Sequence, residues 1–296
     1  MKFDFKIQPY QTDAVESIVS VFAGQPKFDE TSDNTIYARD SGKKAKAASK
    51  EEVQALRLHF NDLGDSIDVS DAKEQLDAAG YRNADIVLSD QQLLENINAI
   101  QAQQNIHKSS KLFSAIGRVS LDVEMETGTG KTYVYVKTMF ELNKQYGWSK
   151  FIVVVPSIAI REGVKKSMEM TVEHFMRHYG KKARFFIYNS GNLNALDKFS
   201  SDAGINVMII NTQAFATSMR EGAKNKESRI IYSKRDEFNS RRPIDIIKAN
   251  RPIVILDEPQ KMEGAATQTG IKNFNPLFLI NYSATHKNHH NEVYVL

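Results

Sequence analysis

The stretch Met125-Glu126-Thr127-Gly128-Thr129-Gly130-Lys131-Thr132 sets glycines, a lysine and hydroxyls in the order that holds the phosphates of a nucleotide. Gly128 and Gly130 let the backbone turn with its N–H groups pointing inward, beside Thr127 and Thr129. Lys131 can then reach the terminal phosphates, and the Thr132 hydroxyl can hold Mg²⁺. The strict pattern asks for Gly where this chain has Met125. A Gly-rich turn between two ordinary elements has the same composition, so the flanks must decide. Val119, Leu121, Val123 and Met125 alternate as in a strand, and Val136, Met139 and Phe140 recur at helical spacing. Strand, loop and helix arrive in the required order.

A second polar cluster, Asp257-Glu258-Pro259-Gln260, follows the apolar run Ile253-Val254-Ile255-Leu256. A carboxylate at the end of a buried strand can share Mg²⁺ with Thr132, and its neighbour can orient or deprotonate an attacking water. Two acids at a helix start would look alike, but this pair shares its chain with a phosphate loop. Gln260 stands where it can sense the γ-phosphate. Ser283 and Thr285 follow the run Phe278-Leu279-Ile280-Asn281-Tyr282 and can hydrogen-bond to Gln260 or to the carboxylates; such hydroxyls are also ordinary turn residues. Upstream, Gln11 in Gln8-Pro9-Tyr10-Gln11 offers the donor and acceptor that would read adenine.

These groups need a scaffold that brings strand ends together. Phe151 to Val155 closed by Pro156, Arg184 to Tyr188, and Val207 to Ile210 are further strand candidates. Each leads into a polar group: Ser157 and Arg161 after the first, and Asn211-Thr212-Gln213 after the third. The expected fold is α/β, a mostly parallel central sheet flanked by helices, with ligands at the carboxyl ends of the strands. The phosphate-loop helix should end at Gly147. A first helix should run over 8–24, with Ala14, Ile18, Val21 and Phe22 on one face and Gly24 and Pro26 as the stop.

With 296 residues, 41% of them hydrophobic, the chain can bury a full core. It has no Cys, which excludes disulfides and thiolate metal sites. No run approaches the roughly 18 apolar residues of a membrane span, and a cytoplasmic protein without a membrane partner is expected. The net charge of +3 does not by itself announce nucleic acid. Residues 27–114 form a polar insertion between the N-terminal helix region (1–26) and the main domain (115–296), with helical patterns near 50–63, 71–79 and 89–105 and disorder expected around 29–50. The lysines of Lys43-Lys44-Ala45-Lys46 fit a solvated loop. Segment 220–251 holds ten Lys/Arg against five acids, which fits either phosphate contact or a solvated surface. His174 and His178 have ligand spacing, but Phe175 stands where a zincin helix needs Glu; no zinc is expected there or at His286, His289 and His290. Tyr188, Phe215 and Phe238 are expected to pack rather than stack on bases.

Taken in order, Gln11, the 125–132 loop, Val155-Pro156-Ser157-Ile158-Ala159-Ile160-Arg161-Glu162-Gly163-Val164, Asp257-Glu258-Pro259-Gln260 and Tyr282-Ser283-Ala284-Thr285-His286 resemble a superfamily 2 helicase motor. The wording is similar to the Res subunit of type III restriction-modification enzymes, above all in Asp-Glu-Pro-Gln and the long Pro-Ser-Ile-Ala-Ile-Arg-Glu-Gly-Val run. The resemblance implies a RecA-like domain using ATP and Mg²⁺. In it Gln11 meets adenine; Thr127 to Thr132 bind phosphate; Thr132 and Asp257 hold Mg²⁺; and Lys131, Asp257, Glu258 and Gln260 serve hydrolysis. It implies further that Ser157, Arg161 and Thr212 touch the backbone of double-stranded DNA, that Ser283 and Thr285 couple hydrolysis to movement, and that the partner is a modification methyltransferase (Mod) subunit. The sequence ends within what reads as another strand, at Val293-Tyr294-Val295-Leu296. The second motor domain with its arginines, and the nuclease, are therefore expected outside it. No Pro-Asp followed by Glu-x-Lys occurs here. Two alternatives are a fragment of another superfamily 2 DNA helicase, and a non-catalytic nucleotide-binding module docking on a methyltransferase through 27–114.

Overall fold

A computed structural model of the chain describes residues 5–29, 32–38, 79–191, 193–214, 230–234, 241–286 and 291–296. Its centre is a seven-stranded sheet in the order β5-β6-β4-β7-β8-β3-β9, parallel at every pairing. The strands are β3 (Ser120–Glu124), β4 (Lys150–Val155), β5 (Arg184–Ile187), β6 (Asn206–Asn211), β7 (Ile253–Asp257), β8 (Leu279–Ser283) and β9 (Glu292–Val295). All five apolar runs read from the sequence are strands, within a residue or two at each end.

The unbroken apolar runs follow from burial on both faces. Phe151, Val153 and Val155 of β4 join the core under α1 (Pro9–Ser20), α2 (Asp90–Gln103), α3 (Lys131–Tyr146) and α4 (Ile158–Tyr179). Ile152 and Val154 face the core under α5 (Asn194–Ser201), α6 (Pro243–Ala249) and α7 (Ala265–Asn273). Helix α1 begins on Pro9, whose fixed φ suits a first helical position, and packs against α3 and β9. Ala14, Ile18, Val21 and Phe22 are fully buried, although the regular helix stops at Ser20 and turns carry the chain to Gly24. Helix α3 ends, as expected, at a left-handed Gly147. A Cβ there would overlap the Phe28 carbonyl oxygen.

Part of the expected insertion is integral to this body. Helix α2 opens with a Ser89–Gln92 capping box and buries Leu93, Ile97 and Ile100 in the main core. The Asn83 amide donates to the Lys150 carbonyl and accepts from the Ser149 and Lys150 amides, clamping the start of β4. A short antiparallel ribbon, β1 (Ile36–Ala38) with β2 (Ala79–Tyr81), brackets the rest. The patterns at 50–63 and 71–78, the lysines at 43–46, Phe215 and Phe238 lie outside the described residues. Tyr188 is buried.

For the site, the decisive feature is β8 lying between β3 and β7. Glu124 pairs with Ser283, Asp257 pairs with Tyr282, and the ladder continues through Met125 N–H to Ser283 O and Glu258 N–H to Tyr282 O, each 2.8 Å. The phosphate loop and the acidic cluster therefore leave the sheet at one level. They stand two strand spacings apart, about 10 Å, which is a span that a chain of phosphates can bridge.

Candidate nucleotide site

Beyond these strand ends opens a cavity of about 570 Å³. Thr127, Gly128, Gly130, Lys131 and Thr132 of the loop line it together with Asp257, Glu258 and Lys261. Gly128 and Gly130 both take φ near +90°, at 89° and 87°, the conformation that lets loop N–H groups turn inward. A Cβ on Gly130 would meet Gln11 Nε2 at 2.7 Å. Met125, in the place of the expected glycine, is fully buried in the core.

Glu258 is a non-glycine residue at φ 63°, ψ 60°. Such a backbone costs on the order of 1–3 kcal/mol and survives where surrounding bonds enforce it. Here the following 3₁₀ turn, Pro259–Lys261, is closed by Lys261 N–H on Glu258 O at 3.0 Å. The turn aims Glu258 back at the loop. Its Oε1 lies 2.9 Å from Lys131 Nζ, which also donates to Met125 O at 3.3 Å. Its Oε2 accepts from Gln260 Nε2, and Gln260 Oε1 in turn accepts from Ser283 Oγ at 3.0 Å. Burial pushes the Glu258 carboxyl up, but the bonds from Lys131 and Gln260 outweigh it and hold it below the usual range.

Asp257 behaves oppositely. Burial, then the Glu258 charge, push it up to about 6, while Lys131 and Lys261 pull the other way. No described side chain donates a hydrogen bond to it. A desolvated carboxylate with free oxygens, across from the Thr132 hydroxyl in the same cavity, is the hard-oxygen donor set that Mg²⁺ takes together with phosphate oxygens. The residues fit the ion.

Gln11 meets the loop rather than the open cavity. Its Nε2 donates to Thr129 O at 2.9 Å, and the Tyr10 hydroxyl donates to the same carbonyl at 3.1 Å. Thr285 reaches the site through its backbone, its N–H donating to Ser283 Oγ at 3.0 Å.

Ser157, Arg161 and Thr212 come together at the ends of β4 and β6. Each carries an internal bond: Ser157 Oγ caps α4 by accepting from Ile160 N–H, Arg161 donates to Asn211 Oδ1 and pairs with Glu162, and Thr212 Oγ1 donates to Pro156 O. In the basic segment, Arg241 is buried and paired with Asp197, and Arg242 is paired with Asp245. Arg241 is thus tied into the fold, whereas Arg242 makes a solvent-exposed pair at the start of α6. Residues 220–229 and 235–240 lie outside the described residues.

Lys261, Tyr133 and Phe5, to which sequence reasoning assigns no role, also line the cavity. Lys261 directly follows the acidic cluster and Tyr133 directly follows Thr132, so adjacency was the available signal. His174 is engaged by the Tyr133 hydroxyl, with Nε2 at 2.9 Å.

Residues 4–288 match the family described as "Type III restriction enzyme, res subunit". The EcoP15I Res subunit of Escherichia coli is 33% identical over 225 residues, covering 69% of this chain and 22% of the relative. The EcoPI Res subunit of Escherichia phage P1 is 31% identical, covering 73% of this chain and 24% of the relative. The chain thus spans under a quarter of the length of these two relatives. A solved structure, the Sulfolobus solfataricus SWI2/SNF2 ATPase core in complex with dsDNA, is similar over 56% of this chain and 27% of its own, at 11% identity and a TM-score of 0.35. By the match over nearly its whole length, the chain belongs to the family of type III restriction enzyme Res subunits and carries that family's helicase-like ATPase domain.

Proposed function

We propose that this domain binds ATP with Mg²⁺ and hydrolyses it in response to double-stranded DNA, as the motor of a type III restriction enzyme working with a Mod subunit. One observation carries the reading: Thr132, Lys131, Asp257 and Glu258, from the ends of two different strands, line a single cavity. The loop amides and Lys131 bind and orient the phosphates, with Thr127 and Thr129 beside them. Thr132 and Asp257 would hold Mg²⁺, which supplies charge neutralisation at the β- and γ-phosphates. Glu258, the carboxylate kept ionised, orients the attacking water and accepts its proton. Gln260 and Ser283, bonded to each other and to Glu258, carry the state of that carboxylate to the end of β8, with Thr285 beside them. Gln11 acts at the adenine end through the loop backbone it grips.

DNA contact is assigned to Ser157, Arg161 and Thr212 at the ends of β4 and β6. An arginine supplied across the cleft contributes on the order of 10³-fold or more in related sites, so turnover by this chain alone should be slow. The test is ATP turnover with and without duplex DNA, for the chain beside Lys131→Ala and Glu258→Gln. DNA-stimulated turnover lost in both variants supports the reading, as does ATP binding lost only in Lys131→Ala. Absence of nucleotide binding by the unmodified chain refutes it.

A further inference from the structure

We propose that Lys261 is a second phosphate-binding cation of this site, one that reads the γ-phosphate and so lets the site tell a nucleoside triphosphate from a diphosphate. The proposal rests on the nucleotide reading of the cavity and adds to it a residue that neither the loop nor the acidic cluster contains.

Three observations carry it. Lys261 lines the same cavity as Lys131, Asp257 and Glu258. Its backbone is fixed: Lys261 N–H closes the 3₁₀ turn on Glu258 O at 3.0 Å, and Met262 N–H closes the next on Pro259 O at 2.8 Å. The side chain is therefore launched from a rigid base. Finally, its ammonium makes no ion pair with any of the described residues, and the adjacent Glu258 carboxylate is engaged elsewhere. Glu258 Oε1 is held by Lys131 and Oε2 by Gln260.

The position within the cavity selects the phosphate. The loop amides cradle the inner phosphates, and the acidic cluster faces the outer end, where water attacks. A cation anchored three residues after Glu258 stands at that outer end. A γ-phosphate brings extra negative charge between Lys131 and Lys261; a diphosphate leaves that space to water. Charge-assisted hydrogen bonds of this kind change affinity by about tenfold or more.

The experiment measures binding of the β,γ-imido analogue of ATP and of ADP, each with Mg²⁺, to the 296-residue chain and to Lys131→Ala, Lys261→Gln and Lys261→Arg. The expected result is that Lys261→Gln weakens the triphosphate about tenfold and the diphosphate less than about threefold, while Lys261→Arg restores most of the difference. Lys261 is exposed, so these variants should keep the melting temperature of the parent. Equal weakening of both nucleotides, or of neither, while Lys131→Ala still abolishes binding would overturn the role of Lys261 alone. Indifference of binding to Lys131→Ala would overturn the underlying site and this proposal with it.

Discussion

Lys131 Nζ and Glu258 Oε1 stand 2.9 Å apart, with both side chains largely buried, so the two groups proposed to serve nucleotide chemistry neutralise each other. In the proposed function Lys131 must leave Glu258 to meet phosphate, and that exchange would oppose binding. Glu258→Gln removes the competing charge. Releasing a partly buried pair contributes about 1 kcal/mol, or roughly fivefold in an equilibrium. Glu258→Gln should therefore bind Mg·ATP roughly fivefold more tightly in a fluorescence titration while losing turnover. Weaker binding in this variant would mean that the pair orders the loop instead of competing for it.

The Gln260 bridge between Glu258 and Ser283 predicts a separation of binding from coupling. Neither Gln260 nor Ser283 lines the cavity, so Ser283→Ala should leave ATP affinity within about threefold, less than 1 kcal/mol. With the proposed Mod subunit and duplex DNA present, the same change should reduce DNA stimulation of turnover, since Gln260 then loses its tie to the end of β8. Unchanged stimulation would show that the hydroxyl is only a strand-end turn residue.

What was legible in the sequence follows from how far each signal reaches. The 253–257 and 278–283 strands, and the residues at their ends, could be read because parallel strands buried on both faces leave continuous apolar runs. The end of α3 at Gly147 could be read because a left-handed residue there favours glycine. The place of α2 could not: its apolar stripe at Leu93, Ile97 and Ile100 shows that it packs, but not that it packs under α1 and β9, which are distant in sequence. Arg241 looked like surface charge because composition cannot reveal that Asp197 waits on another helix. In the site, residue types gave the loop and the carboxylates, whereas the left-handed turn at Glu258 that joins them is set by tertiary bonds.

Arg241 now carries a different prediction from that of a DNA-contacting residue. Its side chain is only 8% exposed and pairs with Asp197 at 3.1 Å, while Asp197 itself is half open to solvent. Arg241→Glu would place two like charges together in a buried setting. It should lower stability by about 2 kcal/mol or more in urea unfolding. The salt dependence of DNA binding, measured where the variant remains folded, should stay the same. A smaller salt slope with unchanged stability would return Arg241 to the DNA surface.

Lys150, at the start of β4, gives a pH signature. Its ammonium is fully buried and donates to the carbonyls of Phe199 and Asp202. Burial pulls its pKa down to about 7; Asp202 opposes this and Arg184 adds to it. Between that value and the ordinary 10.5, the unfolded chain holds a proton that the folded chain has released, so folding stability contributed by this group rises with pH. Below about pH 7 both states are protonated and the full cost of the buried charge remains; above the ordinary value the gain is complete. The limiting slope is about 1.4 kcal/mol per pH unit, and the rise between pH 7 and 9 should be on the order of 2 kcal/mol. Lys150→Met removes the titrating group, so the difference between parent and variant in urea unfolding at pH 7, 8 and 9 isolates it from every other ionisation. A difference that stays flat over this range would mean that the two carbonyls keep the ammonium charged inside the fold.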